Sequence, residues 1–230
     1  MKKTFTILLM AIAYLATFIL GAASGAIHPA FYAYIGALLP LLTAFIYLYT
    51  STLLPRFGAA TILNGIVLAL FLIAGEADTT LAIGFVILTA LAEFIRWRCG
   101  YDTRKGIRWS FVPFAYSFFA YTFHWWTDTE GSLAAAVEEM PAGYDQLMLP
   151  VIDNIPMLVV VLLLTFPVAM LAMRLAASST RDGIGTSASM ATGVIMPIYS
   201  KASTTATSPQ RANRRCAAST SSTTTAGTGA

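Results

Sequence analysis

Six apolar blocks dominate this chain: Thr4 to Gly25, Phe31 to Leu54, Phe57 to Gly75, Thr79 to Trp97, Ile107 to Trp126 and Ile155 to Leu175. Each is close to the roughly 20 residues that carry a helix across a hydrocarbon core of about 30 Å. Inside a bilayer every backbone N–H and C=O must find its partner within the protein, which leaves helices and closed barrels as spanning solutions. The blocks lack the apolar–polar alternation of barrel strands, so helices are expected. Composition agrees: 57% of residues are hydrophobic and 11% charged, against about a quarter charged in an ordinary soluble domain.

Charge then orders the blocks. Between the fourth and fifth lies Arg96 to Arg108, RWRCGYDTRKGIR, with five basic side chains against one acid. Short loops rich in Lys and Arg stay in the cytoplasm. With six crossings, Lys2, Lys3, Arg56, Arg174 and the C-terminal end fall on the same side as that loop, which collects all 14 Lys and Arg residues there. The opposite side receives Glu76 and Asp78 in one connection and Asp128, Glu130, Glu138, Glu139, Asp145 and Asp153 in another. The reading is an all-α polytopic membrane protein of six transmembrane helices, N-in and C-in, in the cell membrane. Residues 1–176 form the helical domain. Residues 177–230, with 21 Ser or Thr and a single aromatic, Tyr199, form a disordered cytoplasmic tail, too polar to repay the entropy of ordering.

Individual residues refine the picture. The first block invites a second reading as a secretory signal ending in GAASGA, Gly21 to Ala26. Its apolar run from Phe5 to Leu20 exceeds the ~7 to 15 residues of a usual signal core, which favours a retained helix. His28 beside Pro29 is expected to be a wet turn residue, and Pro40 to bend the second helix. Asn64, deep in the third block, is expected to hydrogen-bond across a helix interface. Glu93, one turn before Arg96, is expected to pair locally or reach the interface. Cys99 and Cys216 both fall on the inner side, so neither a disulfide nor a metal site is expected, and no cofactor.

The longest connection, Thr127 to Asn154, follows an aromatic and polar cluster, Tyr121 to Glu130. Loops of this length are often binding loops or lids. A short helix is expected at Leu133 to Met140, opened by Ser132 and stopped by Pro141. His124, Trp125, Trp126, Asp128, Tyr144, Asp153 and Asn154 are the candidate binding residues for a small solute. Trp125 and Trp126 also suit an interfacial aromatic belt.

The run ALLPLLTAFIYLYTSTLLPRFGAATILNGIVLALFLIAGE, followed by LAIGFVILTALAEFIRWRCGY, resembles the MptD-like or Trep/Strep group of substrate-binding subunits of energy-coupling-factor (ECF) transporters. Leu38 to Pro40, Pro55 to Gly58 and the fourth helix running into a basic loop carry the likeness, which extends over about Thr4 to Leu175. The resemblance implies a membrane subunit that captures a vitamin, a precursor or a similar micronutrient from outside. It also implies partners: a transmembrane coupling subunit and two cytoplasmic ATPases, within a lipid bilayer and without nucleic acid. In such families small residues of the first helix meet the coupling subunit; here Ala13, Thr17, Gly21 and Gly25 are the candidates. The chain carries no Walker A sequence, and no enzymatic activity is expected. The competing functions are an intramembrane enzyme and a non-catalytic assembly protein.

Overall fold

A computed structural model describes residues 2–188, all of its regular structure helical. The elements are α1 (Lys2–Ala23), α2 (Pro29–Tyr34), α3 (Pro40–Leu53), α4 (Ala59–Ala74), α5 (Thr79–Cys99), α6 (Arg104–Ala115), α7 (Ser117–Thr122), α8 (His124–Thr127), α9 (Thr129–Glu139), α10 (Tyr144–Ile152) and α11 (Ile155–Ala188). Among the described residues three helical stretches are long and apolar enough to cross a membrane, namely Lys3–Ala26, Thr79–Cys99 and Ile155–Ser179. A fourth is counted if the bent pair Pro29–Ala37 and Pro40–Leu53 is one span. α4 is apolar but shorter, and the fifth apolar block is broken into α6, α7 and α8.

The breaks have local causes. The chain bends by 43° ahead of Pro40, which takes the N1 position of α3, where its missing N–H costs nothing. Pro113 interrupts the hydrogen-bond ladder near the end of α6. α4 ends on Gly75 at φ +79°, a left-handed cap that spares other residues a Cβ clash, with Glu76 N–H returning to the carbonyl of Phe71 at 3.0 Å. His28 is a helix cap: its Nδ1 accepts from the N–H of Ala30 at 3.1 Å. That fits a turn residue rather than a ligand.

The core is aromatic. Phe18 is ringed by Phe71, Phe85, Phe118 and Tyr121, with centroids 5.0 to 5.9 Å away. Asn64 ties four helices together as expected. Tyr14 donates to its Oδ1 at 2.9 Å, and its Nδ2 donates to Thr89 at 2.8 Å and Ser117 at 2.9 Å. α5 and α7 approach closely: a Cβ at Gly84 would lie 2.6 Å from the Cβ of Ala120. Gly84→Ala is therefore expected to force the two helices apart and cost about 1–3 kcal/mol. Thermal unfolding of the purified protein reads this, and an unchanged melting temperature would show that the contact yields freely.

Three readings of the sequence are corrected here. Gly21 and Gly25 are spent inside the chain: a Cβ at Gly21 would meet Phe118 and Leu39 at 2.8 and 2.9 Å, and one at Gly25 would meet Tyr144 and Tyr32. Their smallness admits the chain's own aromatics, whereas Ala13 and Thr17, on α1, are partly exposed. Helix α11 runs on to Ala188, so the boundary set at residue 177 falls within a helix; the rest of the proposed tail lies outside the described residues. Of the two cysteines of the sequence, Cys216 lies outside the described residues. Glu93 pairs with Arg96 but does not reach the interface, since both side chains are fully buried.

That pair organises the basic end. Glu93 Oε1 accepts from the N–H groups of Gly58 at 3.1 Å and Ala60 at 2.8 Å, capping the start of α4 in place of the side chain that Gly58 lacks. Gly58, at φ +120°, makes a turn that other residues resist. Arg96 reaches the carbonyls of Ser51, Leu54, Arg56 and Tyr101 at 3.0 to 3.4 Å. One ion pair thus caps the end of α3 and the start of α4 and brings both to the α5–α6 turn.

Candidate functional site

At the other end of the molecule the α4–α5 turn, α8 and α9 enclose a cavity of about 260 Å³. Its floor is aromatic: Tyr32 from α2, Tyr121 from α7 and Trp125 from α8, with the Tyr32 ring edge-on to Tyr121 at 5.7 Å and to Trp125 at 6.2 Å. Its exposed rim carries four carboxylates: Glu76, Asp78, Asp128 and Glu139. Two of them also close helices. Asp78 caps α5 through the N–H of Leu81, and Asp128 caps α9 through the N–H of Gly131 at 3.3 Å. Asp128 therefore does what the sequence assigned to Ser132, and α9 starts at Thr129 rather than Leu133.

Ser132 lies in the first turn of α9 and meets His124, its hydroxyl 2.7 Å from Nδ1 and 3.2 Å from the His124 carbonyl. Either histidine tautomer satisfies the contact, since both the ring nitrogen and the hydroxyl can donate or accept, and the pair ties α8 to α9.

The seven residues chosen from the sequence separate into two groups. His124, Trp125 and Asp128 line the cavity. Trp126 instead pins α8 to the end of α10, its Nε1 donating to the Ile152 carbonyl at 3.1 Å. Tyr144 packs beneath in the same cluster as Tyr32 and Trp125; burial raises the pKa of its phenol, keeping it protonated at neutral pH. Asp153 and Asn154 are exposed at the α10–α11 junction, where Asn154 accepts from the N–H of Met157. Neither lines the cavity.

The sequence choice also lacked Tyr32, Glu76, Asp78, Tyr121, Ser132 and Glu139. A signal existed for two of them: Glu76 and Asp78 form an acidic turn on the same predicted side as the long connection. The helix α10, which holds that connection down, could have been read from the spacing of Tyr144, Met148, Val151 and Ile152, its buried stripe.

A larger groove, about 540 Å³, runs between α4 and α5. Phe94 and Trp97 beside it are more than half exposed. Its polar floor is already engaged: Asn64 in the four-helix tie and Glu93 in the ion pair. A groove of that kind suits lipid tails.

Only 22–28% of the apolar windows of the three long helices is buried within the chain, and large side chains such as Phe5, Ile73 and Leu163 point outward at 69–85% exposure. A soluble monomer rarely exposes such extensive apolar surface, and helices of this character define an integral membrane protein. Residues 1–181 match the family model described as a hypothetical bacterial integral membrane protein (Trep_Strep), and the chain belongs to that family. No curated protein and no solved structure matches it.

Proposed function

We propose that the chain is a substrate-binding membrane subunit of an ECF-type importer, with six crossings, N-in and C-in, in the cell membrane. In this reading α4 spans despite its length, α6 to α8 together form the fifth crossing, and the basic end faces the cytoplasm. The observation that supports it is the rimmed cavity at the acidic end, built from four separate segments and backed by the docked helix α10. Such a concave site with few polar groups is the usual form of a small-molecule site. The chain captures a micronutrient-sized solute there, and partners supply the energy: a coupling subunit and two cytoplasmic ATPases. It does no chemistry itself. The reading predicts that protein solubilised gently from its native membrane retains a small molecule and co-purifies with an ATPase pair, both visible by native mass spectrometry. Recovery of the bare chain, without ligand or ATPases, would overturn it.

The contact of His124 with Ser132 is the one observation that favours an enzyme. Ser132 is buried in the first turn of α9 and its hydroxyl also reaches the His124 carbonyl, which favours a tie between α8 and α9 over an exposed nucleophile.

A further inference from the structure

Four carboxylates face one small cavity, and among the described residues the only ion pair is Glu93–Arg96 at the opposite end. The rim charges therefore have no basic partner in this part of the chain. They are not arranged for a metal either: among the described residues no group of three or more His, Cys, Asp or Glu side chains comes close enough to hold an ion. Beneath the rim the surface changes from charged to aromatic, with the rings of Tyr32, Tyr121 and Trp125. An aromatic floor under an anionic rim matches an organic cation, whose charge is spread over carbon-bearing groups and attracted to ring faces. A small inorganic ion would instead demand oxygen ligands at short range.

The aromatic wall is built into the fold rather than laid on its surface: Trp125 is 3% exposed and packs against Tyr32 and His124 with ring centroids 6.2 and 5.0 Å away.

We infer that the cavity takes a small organic cation, an ammonium-type group. The positive group sits among Glu76, Asp78, Asp128 and Glu139, against the rings of Tyr32, Tyr121 and Trp125. The volume, about 260 Å³, lies just under the ~300 to 1,000 Å³ of sites for drug-sized ligands, so the solute is small. This assignment rests on the capture function proposed above and specifies its substrate class.

Two probes of one shape test it. Choline and 3,3-dimethyl-1-butanol differ only in the charged nitrogen, which is carbon in the alcohol, and both carry a hydroxyl acceptor. Titrated into the full-length purified protein and followed by tryptophan fluorescence, choline is expected to bind at least about tenfold more tightly. In the double variant Asp128→Asn with Glu139→Gln the preference should fall to near unity. Asparagine still caps α9, so an unchanged circular dichroism spectrum and melting curve will show that the fold is intact. Equal affinity for the two probes, tighter binding of the alcohol, or no binding of either overturns the assignment, as does a preference that survives the double variant. The capture function fails separately. A retained molecule that proves neutral or anionic ends the cation assignment and leaves capture standing, whereas protein that retains nothing and binds neither probe ends both.

Discussion

Arg96→Ala is expected to destabilise the protein by about 3–5 kcal/mol, the usual cost of removing one partner from a buried ion pair. The side chain has no exposed surface, and its loss strands more than Glu93. The carbonyls of Ser51, Leu54, Arg56 and Tyr101 lose their shared donor, and three connected backbone segments lose the group that holds them at one point. Arg96→Lys is not expected to rescue, because a single ammonium lacks the planar fork that reaches several carbonyls at once. Glu93→Gln should be milder. Its amide oxygen can still accept from Gly58 and Ala60, whose bonds to Oε1 are 3.1 and 2.8 Å, and only the ion pair is lost. Thermal unfolding in detergent gives the order: wild type, Glu93→Gln, then Arg96→Lys and Arg96→Ala. An alanine variant that melts with the wild type would show that the α3–α4 turn needs no such clamp.

This clamp illustrates what a sequence conceals. The one-turn spacing of Glu93 and Arg96 was visible, and so was their pairing. Their depth was not, because it depends on Ser51, Leu54 and Gly58, some 35 to 45 residues earlier in the chain. The positions of the apolar blocks, the bend at Pro40 and the interhelical role of Asn64 were legible, since each follows from length, backbone chemistry or the cost of one polar group in an apolar segment. The broken fifth block was harder: Pro113 marks one interruption, while the steps at Tyr116 and Phe123 carry no breaker residue.

The candidate site was legible by side but not by membership. Charge sorting brought Glu76, Asp78, Asp128 and Glu139 to one face, and the structure gathers those four around a single cavity. The choice of Asp153 and Asn154 followed their place in the long connection, yet α10 carries them away to the start of α11. Tyr32 arrives from the second block, about 90 residues before Trp125, through ring contacts that no local pattern encodes. Sidedness is one-dimensional information, whereas a cavity is made by whichever elements happen to converge.

Trp125 is where fold and proposed function can be separated. Trp125→Ala should cost about 3–5 kcal/mol, as truncations of buried large aromatics do, because the indole packs against Tyr32 and His124 with centroids 6.2 and 5.0 Å away. Loss of binding in that variant would carry no message, since the cavity floor goes with it. Trp125→Phe keeps an aromatic ring in the cavity wall but is smaller and lacks Nε1, so the free protein should melt lower than the wild type and higher than the alanine variant. If the wall recognises the solute by its aromatic character, retention of the native molecule should stay within a few-fold of the wild type, because a ring face remains. Native mass spectrometry and thermal unfolding of the two variants side by side read this. Loss of retention in a Trp125→Phe protein that is still folded would show that the indole itself, rather than an aromatic face, is what the solute needs.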